Sequence, residues 1–159
     1  MLTKLEKAEQ KWGGSNKLVD QWLQHRRNLL IQYFNIAGLA PYTAPEKSLP
    51  TTETVKQFCA QLVDYVSEGH FEVYDQVVNE CEKSGESSKA RAQHLLPQIS
   101  ETTDAALDFN DKYTEVESDD VLMDLDADLS KLAQAMETRF AFEDELLEQL
   151  YEHHSKAAS

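Results

Sequence analysis

Backbone punctuation constrains this chain more than any other feature. Its glycines are Gly13, Gly14, Gly38, Gly69 and Gly85, and three of its four prolines, Pro41, Pro45 and Pro50, fall close together. No glycine follows Gly85, and only Pro97 interrupts the remainder. Segments this poor in glycine and rich in Leu, Ala, Glu and Gln favour helix. No alternating stretch bounded by turn signals reads as a strand pair.

The apolar positions carry a helical period. A first long helix is predicted from Ser15 or Asn16, both good N-caps after Gly13 and Gly14, to Gly38. Val19, Trp22, Leu23, Leu29, Leu30, Tyr33 and Ile36 form its apolar face, with Asp20, Gln24 and Arg27 opposite. A short amphipathic stretch over 2–12 precedes it, and a proline-bearing loop over 39–50 follows. A second helix starts at Thr51 or Thr52 and buries Val55, Phe58, Cys59, Leu62 and Val66, until Gly69 ends or bends it. A third segment spans 71–81 and stops at Gly85. A fourth runs over 87–113, where Pro97 either kinks or splits it by removing an intrahelical hydrogen bond. The last and longest spans 118–154, stepping through Leu122, Leu125, Leu129, Leu132, Met136, Phe140, Leu147 and Leu150. The fold expected is all-α: an antiparallel helical bundle of four long helices with short additional helical segments, a single domain over 1–159.

Charge narrows the function. The 159 residues carry a formal net charge of −14. Residues 101–159 hold −13 of it, while residues 1–37 are at +3. Such acidity argues against nucleic acid, whose binders neutralise phosphates with Lys and Arg, and against docking on an anionic membrane. A hydrophobic fraction of 41% is too high for a disordered acidic tail. No apolar run is long enough to span a membrane, and the N-terminus lacks a signal-peptide core. Cys59 and Cys81 have neither metal spacing nor the density of a disulfide scaffold. The expectation is a soluble, cytoplasmic protein with a cationic or amphipathic partner.

Catalytic patterns were tested in turn. Di-iron bundles need Glu three residues before His; here Trp22, Ser67, Arg91, Leu150 and Tyr151 occupy those places. Asp124, Asp126 and Asp128 mimic the start of an EF-hand loop, but Leu129 stands where Gly is required and Ala135 where Glu is. Asp119, Asp120 and Asp124 read as an acidic first helical turn more simply than as a magnesium site. Neither His25 nor His94 has the following Lys-Gly of a phosphotransfer histidine, so both read as surface or capping residues. Cys59 is a small core residue, Cys81 lies at a helix end, and no phosphate-cradling glycine loop exists. No catalytic residue, metal or cofactor is assigned. A metal- or cofactor-bearing bundle enzyme and a histidine phosphotransfer module stay as the competing classes.

What remains is surface. Asp64 points away from the apolar face and is followed by Tyr65, Glu68, Gly69, His70 and Phe71, an acidic and aromatic cluster at a helix corner. It is either a solvated face with a capping turn or a docking patch for a basic partner helix, where aromatic anchors ringed by complementary charge supply affinity. Trp22 falls on the core stripe. Trp12, beside Gly13, fits either role.

Three blocks are similar to one family. WGGSNKLVDQWLQHRRNLLIQYFN (12–35), FCAQLVDYVSEGHFEVY (58–74) and METRFAFEDELL (136–147) resemble the Rsd/AlgQ family, regulators of sigma D. They cover about a third of the chain, in order; 39–56 and 84–118 carry no close match to it. The resemblance implies an all-helical bundle and a non-enzymatic anti-sigma factor. Its partner would be region 4 of the primary sigma factor, which reads the −35 promoter element and contacts core RNA polymerase. Occupying region 4 would favour alternative sigma factors in stationary phase. The family's interaction determinant, the aspartate of LVDY, carries over to Asp64. Phe71, in the matching GHF, would be an apolar anchor, and Asp20, in KLVD, a weaker contact.

Overall fold

The structure, a computed structural model, describes residues 5–6, 17–37, 51–77, 79, 86–115 and 121–157. For residues 71, 78, 86–88, 121 and 149–157 no side-chain placement is described. Among the described residues there are helices and turns and no strand. Four long helices make up the bundle: α1 (Lys17–Ala37), α2 (Thr52–Glu68), α3 (Glu86–Tyr113) and α4 (Leu125–Ala157).

Side-chain pairings fix their directions. On α1, Arg26 reaches Asp144 of α4 while Tyr33, two turns later, bonds the Leu129 carbonyl. On α3, Arg91, Thr102 and Tyr113 meet Glu145, Arg139 and Asp128 of α4 in reverse order. Trp22 stacks on Tyr65 and Tyr33 packs by Phe58, so α1 and α2 also run oppositely. The expected antiparallel bundle forms, with its four long helices in up-down-up-down order.

Local chemistry sets the ends. Thr51 is extended and caps α2, its Oγ1 accepting the Thr54 N–H at 3.2 Å, and Glu53 in the first turn suits the macrodipole. α4 begins at Leu125, after a 3-10 turn over Val121–Asp124, so its α-helical start is later than the spacing suggests. The caps expected at Ser15, Asn16 and Gly38, the 39–50 loop, and Trp12, Cys81 and Gly85 lie outside the described residues. Of the 2–12 stretch, Leu5 and Glu6 are helical, and Leu5 is buried.

Two breaks are absent. α3 runs through Pro97 as one helix. At Gly69 the helix does not end; it passes into a π turn, Gly69–Val73, closed by the Tyr74 N–H on the Gly69 carbonyl, and α-helix resumes over 74–77. Gly69 is itself helical, at φ −57° and ψ −53°. Its value is space: a Cβ there would lie 3.0 Å from Tyr74 Oη and 3.1 Å from Cζ. The wider turn lets Tyr74 fold back over Gly69 into the core, so helical backbone is continuous over 52–77, and α2 denotes that whole stretch from here on.

The core follows the predicted stripes. Trp22 is fully buried, stacked on Tyr65 at 5.5 Å with Tyr74 against its edge. Phe58 joins Tyr33 to Phe109, and Phe109 meets Tyr113. Each such aromatic contributes about 1.5–3 kcal/mol through burial. Cys59 is buried, and burial pushes its thiol up to about 11.

At one level of the bundle the core is ionic. Glu143 of α4 is fully buried between Arg26 of α1 and Arg139 of its own helix, at 3.4 and 3.3 Å. Tyr65 donates to Glu143 Oε1 at 2.6 Å and Tyr74 to Oε2. Arg26 gives its Nε to Tyr65 Oη at 2.9 Å and an Nη to Asp144 at 2.7 Å. Arg139 spends its Nη donors on Tyr74, Thr102 and Thr103 at 2.9–3.2 Å. The Arg26 guanidinium lies 5.1 Å from the Trp22 ring and 4.8 Å from Phe140. Burial would lower the Arg26 pKa, but Tyr65, Asp144 and Glu143 outweigh it and leave it raised. Burial, then Glu143, raises both tyrosines well above their ordinary range. Both phenols are therefore neutral donors at any physiological pH.

Glu143→Ala leaves two buried guanidiniums without their shared anion. It is expected to lower unfolding stability by about 3–5 kcal/mol in urea titration; a loss under 1 kcal/mol would contradict a structural role. In a Cys81→Ser chain, Cys59 should resist a thiol reagent at pH 8 until urea unfolds the bundle. Rapid native-state labelling would contradict its burial.

Candidate partner-binding surface

The candidate site is built on the outer face of α2. Leu62, Tyr65 and Val66 point inward, and the helical period therefore turns Asp64 outward, where it is exposed. Glu72 and Asp75, further along the same continuous helix, are exposed as well. Glu68, between them, is half-buried and hydrogen-bonds His25 Nδ1 of α1 through Oε2. Its other oxygen is buried without a hydrogen-bond partner among the described residues. Asp64, Glu68, Glu72 and Asp75 thus follow one another at intervals of four, four and three residues.

The three sequence-derived contacts fare differently. Asp64 is exposed. Asp20 is half-buried in the first turn of α1. The antiparallel stacking of Trp22 on Tyr65 sets Asp20 and Asp64 at the same end of the α1–α2 pair. Phe71 has its backbone in the π turn, and its side chain lies outside the described residues.

Two expectations are corrected. Tyr65 is not part of a surface cluster: it is 1% exposed, because helical spacing from Leu62 carries it into the core. Nor does the helix end within the cluster, since helical backbone continues through the π turn past Gly69. His25, read from sequence as a surface or capping residue, is partly exposed but tied to Glu68 across the α1–α2 interface.

Sequence reasoning missed the Arg26–Glu143–Arg139 network behind this surface. A signal for it exists. Arg26 falls four residues after Trp22 and three before Leu29, and Glu143 three after Phe140 and four before Leu147. Charges on an apolar stripe are paired or they do not persist.

Among the described residues, no group of three or more His, Cys, Asp or Glu could hold a metal ion. Asp124 and Asp128 of the Asp-x-Asp run pair with Lys112. No helix among the described residues is long and apolar enough to cross a membrane.

A family model described as "Regulator of RNA polymerase sigma(70) subunit, Rsd/AlgQ" matches residues 1–151. A protein named Regulator of sigma D from Yersinia pseudotuberculosis (strain IP 31758) is 37% identical over 150 residues, which is 93% of this chain and 88% of the relative. Proteins of the same name from Yersinia enterocolitica and Enterobacter sp. (strain 638) are each 36% identical. These alignments cover 93% and 100% of this chain, and 89% and 95% of the relatives.

Proposed function

The chain belongs to the Rsd/AlgQ family of regulators of the RNA polymerase sigma(70) subunit, and from that premise we propose that it is a cytoplasmic anti-sigma factor acting by direct contact. It binds region 4 of the primary sigma factor and needs neither cofactor, nucleic acid nor membrane to do so. Asp64 is the principal contact, Phe71 an adjoining apolar anchor, and Asp20 a secondary carboxylate. Occupied region 4 reaches neither core RNA polymerase nor the −35 element, and core enzyme passes to alternative sigma factors in stationary phase.

The observation that carries this reading is the exposed carboxylate of Asp64, inside the family-like block LVDY, on a helix whose inner face is locked by Tyr65. A DNA-reading surface is built to receive negative charge, and a rigid acidic face competes for it. The charge of residues 101–159 adds a long-range field that speeds encounter without making the specific contacts.

Asp64→Ala should weaken binding to isolated region 4 about tenfold, about 1.4 kcal/mol, in calorimetry, with helicity by circular dichroism unchanged. An unchanged dissociation constant would reject Asp64 as a contact. Affinity of the parent protein should fall as salt rises from about 0.1 to 1 M, where the screening length shrinks from about 10 to 3 Å; salt-independent binding would reject the electrostatic account.

A further inference from the structure

The buried ionic layer is unequal in charge. Arg26, Arg139 and Glu143 are all inaccessible to solvent, two guanidiniums to one carboxylate. The second carboxylate, Asp144, is 26% exposed and bonds Arg26 at 2.7 Å. Among the described residues Arg139 pairs with Glu143 alone, at 3.3 Å, and shares it with Arg26 at 3.4 Å. A guanidinium so deeply buried, with half an anion, favours further negative charge beside it.

Arg139 also keeps a donor. Its Nε bonds Glu143, and Nη1 serves Thr102 and Thr103. Nη2 gives one proton to the Tyr74 oxygen at 2.9 Å, and among the described residues no acceptor takes the other. Thr103 accepts from Arg139 at 2.9 Å, which leaves its own hydroxyl proton to donate.

This arginine lines a cavity of about 350 Å³ between the π turn of α2 and Pro97 of α3. Its size is at the lower end of ligand pockets, about 300–1,000 Å³. Thr103 and Ser100 bring hydroxyls to it, and Leu96, Pro97 and Ile99 form an apolar wall. His70 and Gln93 add N–H groups at the exposed rim. Asp75 is the one carboxylate in the lining, and it is exposed. Donors around a guanidinium, opposite an apolar wall, suit an oxyanion carried on a short hydrocarbon group. Inorganic phosphate would leave that wall unused, and a cation would meet Arg139.

We propose that this cavity binds a small organic monocarboxylate, its oxygens on Arg139, Thr103 and Ser100 and its aliphatic part against Leu96, Pro97 and Ile99. None of the residues assigned to the sigma contact takes part, so the site stands or falls apart from that reading. Arg139 belongs to the ionic layer, and an occupant bound only by the folded bundle stabilises it by mass action.

The probe is isovalerate, titrated into the full chain at constant pH and ionic strength. Methyl resonances of Leu96 and Ile99 should shift and saturate with a dissociation constant of about 1 mM or tighter, and the melting temperature should rise. Isovaleramide, of the same shape without the charge, should bind at least about tenfold more weakly, as expected when a charge-assisted hydrogen bond is lost. Asp75→Asn removes a like charge from the rim and should tighten isovalerate binding about twofold to fivefold. Ser100→Phe, at an exposed position, should fill the mouth and abolish the shifts while helicity by circular dichroism stays at the parent's value. Absence of saturable shifts overturns the proposal, as does equal binding of the amide, which would mark a plain polar hollow. Shifts with inorganic phosphate but not with isovalerate overturn the ligand class. Weaker binding in Asp75→Asn, or undiminished shifts in Ser100→Phe, would place the carboxylate elsewhere and overturn the site.

Discussion

A single carboxylate holds the bundle in register. Glu143 lies beyond the reach of solvent, and in that setting an unpaired anion is not tolerable. Two guanidiniums and two phenols answer it, drawn from α1, from both stretches of α2 and from α4 itself. Arg139 extends the set to Thr102 and Thr103 of α3. All four helices therefore commit donors or acceptors to one small volume. Apolar side chains can slide past one another at small cost. A saturated hydrogen-bond network cannot, because each group left behind remains buried and unsatisfied. The ionic layer adds specificity of alignment to the bulk stabilisation supplied by the aromatic core.

This alignment also shapes the outer surface. Tyr65 reaches Glu143 from inside, which fixes the rotation of α2 and turns the adjacent Asp64 to solvent. Tyr74 must reach the same carboxylate from nine residues further on. A regular helix with a side chain at position 69 would crowd it; the π turn and the bare Cα of Gly69 admit it. The hydrogen-bonding demand of the interior thus produces the irregular turn, and the irregular turn lies beside the cavity that also faces Pro97. Interior polarity and exterior recognition are two sides of the same stretch of α2.

How much of this was legible in the sequence depends on the kind of information. The stripes from Val19 to Ile36 and from Leu122 to Leu147 follow a 3.6-residue period, and each is buried as the period requires. Asp64 was legible as outward-facing by the same rule. Tyr65 was not, because a tyrosine suits a surface as well as a core, and only its distant partner Glu143 decides. Gly69 read as a break, since glycine more often ends a helix than makes room inside one. Arg26 and Arg139 counted as polar in any pattern, although both sit on apolar stripes.

The sequence by itself determined the period and order of the helices, the acidic balance of the chain, and the outward placement of Asp64. These are local or additive properties, set by spacing along the chain. Only the tertiary structure decided which charges are interior, that α2 runs past Gly69, and that Pro97 faces a cavity rather than a break. Those depend on residues far apart in sequence meeting in one place: Arg26 and Glu143 are separated by 117 positions, and neither can be buried without the other.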